Sequence, residues 1–128
     1  MALRDQLRIL VVDDMSTSRG LIMQALDAMG IRQVGYAIDG PGALEVLGKT
    51  PIHLVISDYN MPGMDGLQLL RAMRTNARTK GLGFILITGR ADRDVIETGK
   101  RLGMNNFIKK PFEPQELKAC IEAVVGRL

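Results

Sequence analysis

Four short apolar runs punctuate the chain, and each ends in a polar group. Ile9-Leu10-Val11-Val12 leads into Asp13-Asp14, and Leu54-Val55-Ile56 leads through Ser57 into Asp58. Phe84-Ile85-Leu86-Ile87 leads into Thr88, and Phe107-Ile108 leads through Lys109 into Lys110-Pro111. Unbroken runs of this length, separated by segments of helical period, predict buried parallel strands. A further strand, shorter and less apolar, fits Gln33 to Ala37. The strand around Val55 is expected over His53 to Ser57, and the last over Asn105 to Ile108.

Between the strands the apolar spacing changes to that of helices. Leu21, Ile22, Ala25, Leu26 and Met29 make one stripe, closed by Gly30. Ala43, Leu44 and Leu47 mark a short helix stopped by Gly48 and Pro51. Asp65 can cap a helix carrying Leu67, Leu70 and Met73. Val95, Ile96, Gly99 and Leu102 give another, capped near Asp92. The last starts at Pro114, a favoured first-turn position, and carries Leu117, Cys120, Ile121, Val124, Val125 and Leu128. The methionines fall at helical spacing and read as core filler.

Five strands alternating with five helices predict an α/β fold with right-handed crossovers. The expected architecture is a five-stranded parallel, doubly wound sheet of order 2-1-3-4-5, covered on both faces as a three-layer sandwich. At 128 residues the chain suits one domain, 1–128, with one core and no output domain. The net charge of +3 is spread among interleaved acids, and three Phe and two Tyr form no stacking platform. Nucleic-acid binding is therefore not expected. Cys120 is the only cysteine and lies on a helical stripe, where a small buried residue is expected. No run approaches the ~20 apolar residues of a membrane span, and residues 1–8 contain no signal-peptide stretch. A cytoplasmic protein without membrane contact is expected.

In open parallel sheets, ligands bind beyond the carboxyl ends of the strands. Those ends offer three carboxylates, a hydroxyl and an ammonium. With order 2-1-3-4-5, Asp58 lies beside Asp13 and Asp14. Carboxylates this close repel and raise one another's pKa, which a hard divalent cation such as Mg²⁺ relieves. Helix capping alone asks for one Asp, not two after a buried strand. Asp58 is the candidate nucleophile, because a carboxylate can accept a phosphoryl group as an acyl phosphate. Lys110 would supply a point charge and Thr88 a hydroxyl donor, with backbone N–H groups near Asn60 and Gly89 completing the cradle. Taken singly, Thr88 reads as an ordinary strand end and Lys110 as a solvated residue.

The run Leu10-Val11-Val12-Asp13-Asp14, then Ser57 through Gly66 (SDYNMPGMDG), then Ile87-Thr88-Gly89, then Lys110-Pro111-Phe112 resembles the receiver domain of bacterial two-component response regulators. The likeness covers essentially the whole chain and is greatest to the stand-alone chemotaxis regulators of that family. It implies a flavodoxin-like fold and a signalling switch, not a metabolic enzyme, with no catalysis beyond its own phosphoryl transfer and autodephosphorylation. Asp58 would be the phosphoacceptor, loaded from a CheA-like sensor histidine kinase. Mg²⁺ would be held by Asp13, Asp14, Asp58 and the Asn60 backbone carbonyl. Lys110 would pair first with Asp58 and then with the phosphoryl group, and the Lys110–Pro111 bond would be cis. Thr88 and Phe107 would be the switch pair, with Phe107 standing where the chemotaxis regulators carry Tyr. Asn60 and Arg90 would tune phosphoryl lifetime, Arg90 replacing an acidic residue.

Implied partners are that kinase, and a flagellar motor switch protein or a phosphatase; the implied state is a monomer. Arg90, Arg93, Lys100, Arg101 and Lys109 fall on the expected output surface. They read either as a solvated face or as a dock for an acidic segment. A phosphate sink or relay intermediate outside chemotaxis is the alternative role. A haloacid-dehalogenase-type phosphatase would need a second Asp two residues after its nucleophile, whereas Met15 stands two after Asp13. A flavodoxin-like electron carrier would need a hydroxyl- and Gly-rich first loop in place of two carboxylates.

Overall fold

The computed structural model describes residues 2–89 and 93–128. Five parallel strands, β1 (Arg8–Val12), β2 (Gln33–Ala37), β3 (Leu54–Asp58), β4 (Gly83–Thr88) and β5 (Asn106–Lys109), form one sheet of order β2-β1-β3-β4-β5. The helices are α1 (Leu3–Gln6), α2 (Ser16–Ala28), α3 (Gly40–Lys49), α4 (Gly66–Arg74), α5 (Arg93–Leu102) and α6 (Pro114–Val125). This is the expected doubly wound arrangement.

Alternation along the strands divides the core into two layers. Ile9, Val11, Leu54, Ile56, Ile85 and Ile87 face α2 and α6, where they meet Ile22, Leu26, Leu117 and Ile121. Leu10, Val12, Val55, Phe84 and Leu86 face α3, α4 and α5, where they meet Leu47, Leu69, Leu70, Met73 and Val95. Strands buried on both faces explain why the sequence shows continuous apolar runs and no alternation.

Local signals set the helix ends. Gly30 takes φ 84° after α2, and the Ile31 N–H reaches the Leu26 carbonyl at 3.1 Å, closing the last turn. The Asp65 carboxylate accepts the Gln68 N–H at 2.9 Å, and Gln68 returns a bond to the Asp65 N–H, a capping box. Several boundaries differ from expectation. β3 and β5 begin one residue later than predicted and reach Asp58 and Lys109. α3 runs through Gly48 to Lys49, and α6 ends before Leu128. Leu21 and Met15 are exposed, at 62% and 59%, while Met61, Met73 and Met104 are buried. The expected cap near Asp92 lies outside the described residues.

Candidate functional site

Strand register brings the chemical groups to one level. Val12 pairs with Ser57, Asp58 with Ile87, and Thr88 with Lys109. Asp13, Asp58, Thr88 and Lys110 therefore emerge together at the carboxyl edge of the central strands. Carboxylate oxygens of Asp13, Asp14 and Asp58 lie within 4.8 Å of one another. Asp13 and Asp58 are buried, whereas Asp14 is exposed.

Each acid is held differently. α2 starts only at Ser16, with Met15 at its N-cap position and no side-chain cap, so neither Asp13 nor Asp14 occupies that position. Asp13 Oδ1 accepts the Met15 N–H at 3.0 Å, while the buried Oδ2 accepts no hydrogen bond. A buried carboxylate oxygen without a hydrogen bond, with only the Lys110 ammonium at 3.8 Å and in a cluster of three acids, is costly by itself and suits a hard cation. The donor set, oxygen only, suits a hard divalent cation such as Mg²⁺. The residues thus fit the expected metal.

Lys110 reaches into this cluster from the loop after β5. Its ammonium lies 3.1 Å from Asp58 Oδ1 and 3.8 Å from Asp13 Oδ2, and donates to Ser18 Oγ at 2.9 Å. Its backbone N–H donates to the Thr88 carbonyl at 2.8 Å, and the Lys110–Pro111 peptide is cis. Burial pushes the Asp58 carboxyl above its ordinary range; Lys110 draws it back by hydrogen bond and charge, and Asp13 adds to the rise. One lysine does not balance three acids.

The loop after Asp58 is tight because Gly66 permits it. A Cβ at Gly66 would stand 2.5 Å from the Asp58 carbonyl oxygen, and the Gly66 N–H bonds the Tyr59 carbonyl at 2.9 Å. Asn60 is exposed on that loop. Thr88 is buried at the end of β4. Phe107 pairs with Leu86 across β4–β5 and packs, half-buried, against the α3–α5 side of the core. Arg93, Lys100, Arg101 and Lys109 are exposed, and Arg93 pairs with Glu97 at 3.3 Å. Arg90 lies outside the described residues.

Two site contacts had no sequence signal. Ser18 reads as one more small polar residue in a first helical turn. Arg19, which donates to the Asp13 carbonyl at 3.0 Å and stacks 4.6 Å from the Tyr36 ring centroid, reads as a surface charge.

The profile of the response regulator receiver domain matches residues 9–122. The chain belongs to the response regulator receiver domain family. It is 44% identical over 128 residues to a protein named "Probable chemotaxis protein CheY" from Rhizobium etli, covering 100% of this chain and 99% of the relative. The crystal structure of the chemotaxis protein CheY4 of Vibrio cholerae superposes with a TM-score of 0.87 at 29% identity, over 93% of this chain and 98% of that one. The receiver domain of a sensor histidine kinase from Pseudomonas aeruginosa superposes with a TM-score of 0.85 at 26% identity, over 94% and 98%. That structure has a magnesium ion coordinated in its active site cleft. The receiver is a signalling switch, and phosphoryl acceptance is the general role of the domain. No described helix is long and apolar enough to cross a membrane.

Proposed function

We propose that this chain is a phosphorylation-activated receiver that takes a phosphoryl group from a phospho-histidine kinase onto Asp58, in a chemotaxis pathway of the cytoplasm. The observation that carries the reading is the Lys110 ammonium 3.1 Å from Asp58 Oδ1 inside a cluster of three acids. That charge holds one carboxylate oxygen and leaves Oδ2 to attack phosphorus. The new P–O bond forms as the P–N bond to the donor imidazole breaks. The imidazole nitrogen leaves with the electron pair and takes a proton from water. Asp13, Asp14, Asp58 and the Asn60 carbonyl would hold Mg²⁺, which when bound offsets carboxylate repulsion and the charge on the phosphoryl oxygens. Lys110 then bonds a phosphoryl oxygen in place of Asp58 Oδ1.

Thr88 supplies a hydroxyl to the same group from the adjacent strand end. Its movement frees space for the Phe107 ring, and the α5–β5–α6 surface changes for partner binding. Such partners are a CheA-like kinase and a flagellar motor switch protein or a phosphatase, bound by a monomer. Phe107 offers them no hydroxyl. Hydrolysis of the acyl phosphate resets the switch, with Asn60 and Arg90 beside the path of the water; Arg90→Glu is expected to change the dephosphorylation rate. The test is intact mass after incubation with acetyl phosphate and Mg²⁺. One added phosphoryl group, absent with EDTA and in Asp58→Asn, supports the reading. No addition, from acetyl phosphate or a phospho-histidine kinase, overturns it.

A further inference from the structure

Three oxygens surround the Lys110 ammonium, and two of them belong to acids whose partners change during the proposed reaction. The third, Ser18 Oγ at 2.9 Å, does not. Ser18 sits in the first turn of α2, and α2 is fixed on the sheet by Ile22, Ala25 and Leu26, all buried against β1 and its neighbours. The backbone of Lys110 is fixed at its own end, through its N–H on the Thr88 carbonyl at 2.8 Å. Between these anchors lies a flexible four-carbon stem, whose ordering costs rotamer freedom.

An ammonium has three donors. In the resting geometry one goes to Ser18 and one to Asp58, with Asp13 Oδ2 at 3.8 Å. Once Asp58 carries a phosphoryl group, the contact with Oδ1 is exchanged for one with the larger anion. Only the bond to α2 is indifferent to that exchange. The surroundings on this side are largely apolar: Met15, Leu21, Ile22, Pro111 and Phe112 line the groove beside Ser18 and Lys110.

We propose that Ser18 is a positioning residue for Lys110: its hydroxyl oxygen, carried on α2, holds the ammonium over Asp58 before and after phosphoryl transfer. The hydroxyl touches neither the phosphoryl group nor the acids and acts only through the lysine. This rests on Asp58 being the acceptor, so the experiment includes one measurement that does not need phosphorylation.

The informative pair is Ser18→Thr and Ser18→Val, nearly equal in shape, of which only Thr keeps the acceptor oxygen. With acetyl phosphate and Mg²⁺, Ser18→Val is expected to be phosphorylated roughly tenfold more slowly, and Ser18→Thr within about threefold of the unsubstituted chain. In a Lys110→Met background the Thr and Val forms should become equal, because the group they act through is gone. Independently, the Lys110 ammonium resonance in nitrogen-15 NMR should exchange its protons slowly in the Ser and Thr forms and rapidly in the Val form. Equal rates and equal exchange for Thr and Val would overturn the proposal. So would a Val-specific loss that persists in the Lys110→Met background, which would mark Ser18 as a packing residue. If the unsubstituted chain takes no phosphoryl group, the functional reading fails, and the exchange measurement alone decides the role of Ser18.

Discussion

Asp58→Asn should make the metal-free protein more stable, not less. Asp58 faces two other acids within 4.8 Å. At an effective dielectric of about 20, each such pair repels by about 3.5 kcal/mol, so the two together cost about 7. The Lys110 contact at 3.1 Å returns about 5 kcal/mol on the same scale. Asp14 is exposed and screened, which reduces the cost, whereas burial of Asp58 adds to it. The balance favours the uncharged amide by about 1–2 kcal/mol, and the Asn carbonyl can still accept from Lys110. For 128 residues that is a rise in Tm of about 4–7 °C. The assay is thermal unfolding by circular dichroism in EDTA at low salt and neutral pH. Because burial and Asp13 raise the Asp58 pKa in the folded state, native Asp58 takes up its proton before unfolded Asp58 does. The gap should therefore narrow as pH falls through that raised pKa. Mg²⁺ at about 100 times its Kd adds about 2.7 kcal/mol to the unsubstituted chain and should close the gap from the other side. An Asn variant no more stable than the unsubstituted chain in EDTA would refute the reasoning, as would equal stabilisation of both by Mg²⁺.

Gly66→Ala brings a Cβ to 2.5 Å from the Asp58 carbonyl and 2.8 Å from Leu86 Cδ1, so the loop must shift; a loss of about 1–3 kcal/mol and weaker Mg²⁺ binding by titration are expected. Arg74 joins α4 to the loops around β4 and α5, donating to the Gly103 carbonyl at 2.9 Å, the Lys80 carbonyl at 3.0 Å and Asn105 Oδ1 at 3.1 Å. Arg74→Ala should cost about 2–3 kcal/mol in urea unfolding, and Arg74→Lys should recover little, since lysine lacks the planar fork. Burial pushes the Cys120 thiol up to about 11, so native protein at pH 8 should react with iodoacetamide far more slowly than protein in urea. The folded state also keeps that proton longer than the unfolded chain, with its ordinary value of 9.0; stability from this group is therefore intact below pH 9 and declines as pH rises toward 11.

The central sheet was legible because burial on both faces leaves an unmixed apolar run, and each run at the site ends in the residue that carries its chemistry. Asp13, Asp14 and Asp58 could be grouped without coordinates, since the order makes the ends of β1 and β3 neighbours, whereas Lys110, two strands further from β1 than Asp58, was placed by its strand end and by the resemblance. What escaped was set by contacts distant in sequence. The four-residue α1 has too few positions to show a period; it is tied by the Gln33 amide to the Asp5 carbonyl at 2.8 Å. Ser18 meets Lys110 across 92 positions, and nothing in a helical stripe marks such a partner. Leu21 keeps the period of its stripe but faces outward, because spacing shows which residues share a face and not whether its rim is covered.

The most direct measurement is the position of the phosphoryl group. The protein would be phosphorylated with acetyl phosphate and Mg²⁺, the acyl phosphate reduced with borohydride to an alcohol, and the peptides sequenced by tandem mass spectrometry. The account predicts the reduced residue at position 58 and nowhere else. Label at Asp13 or Asp14, or a stable phosphate on Ser57 or Thr88, would contradict it.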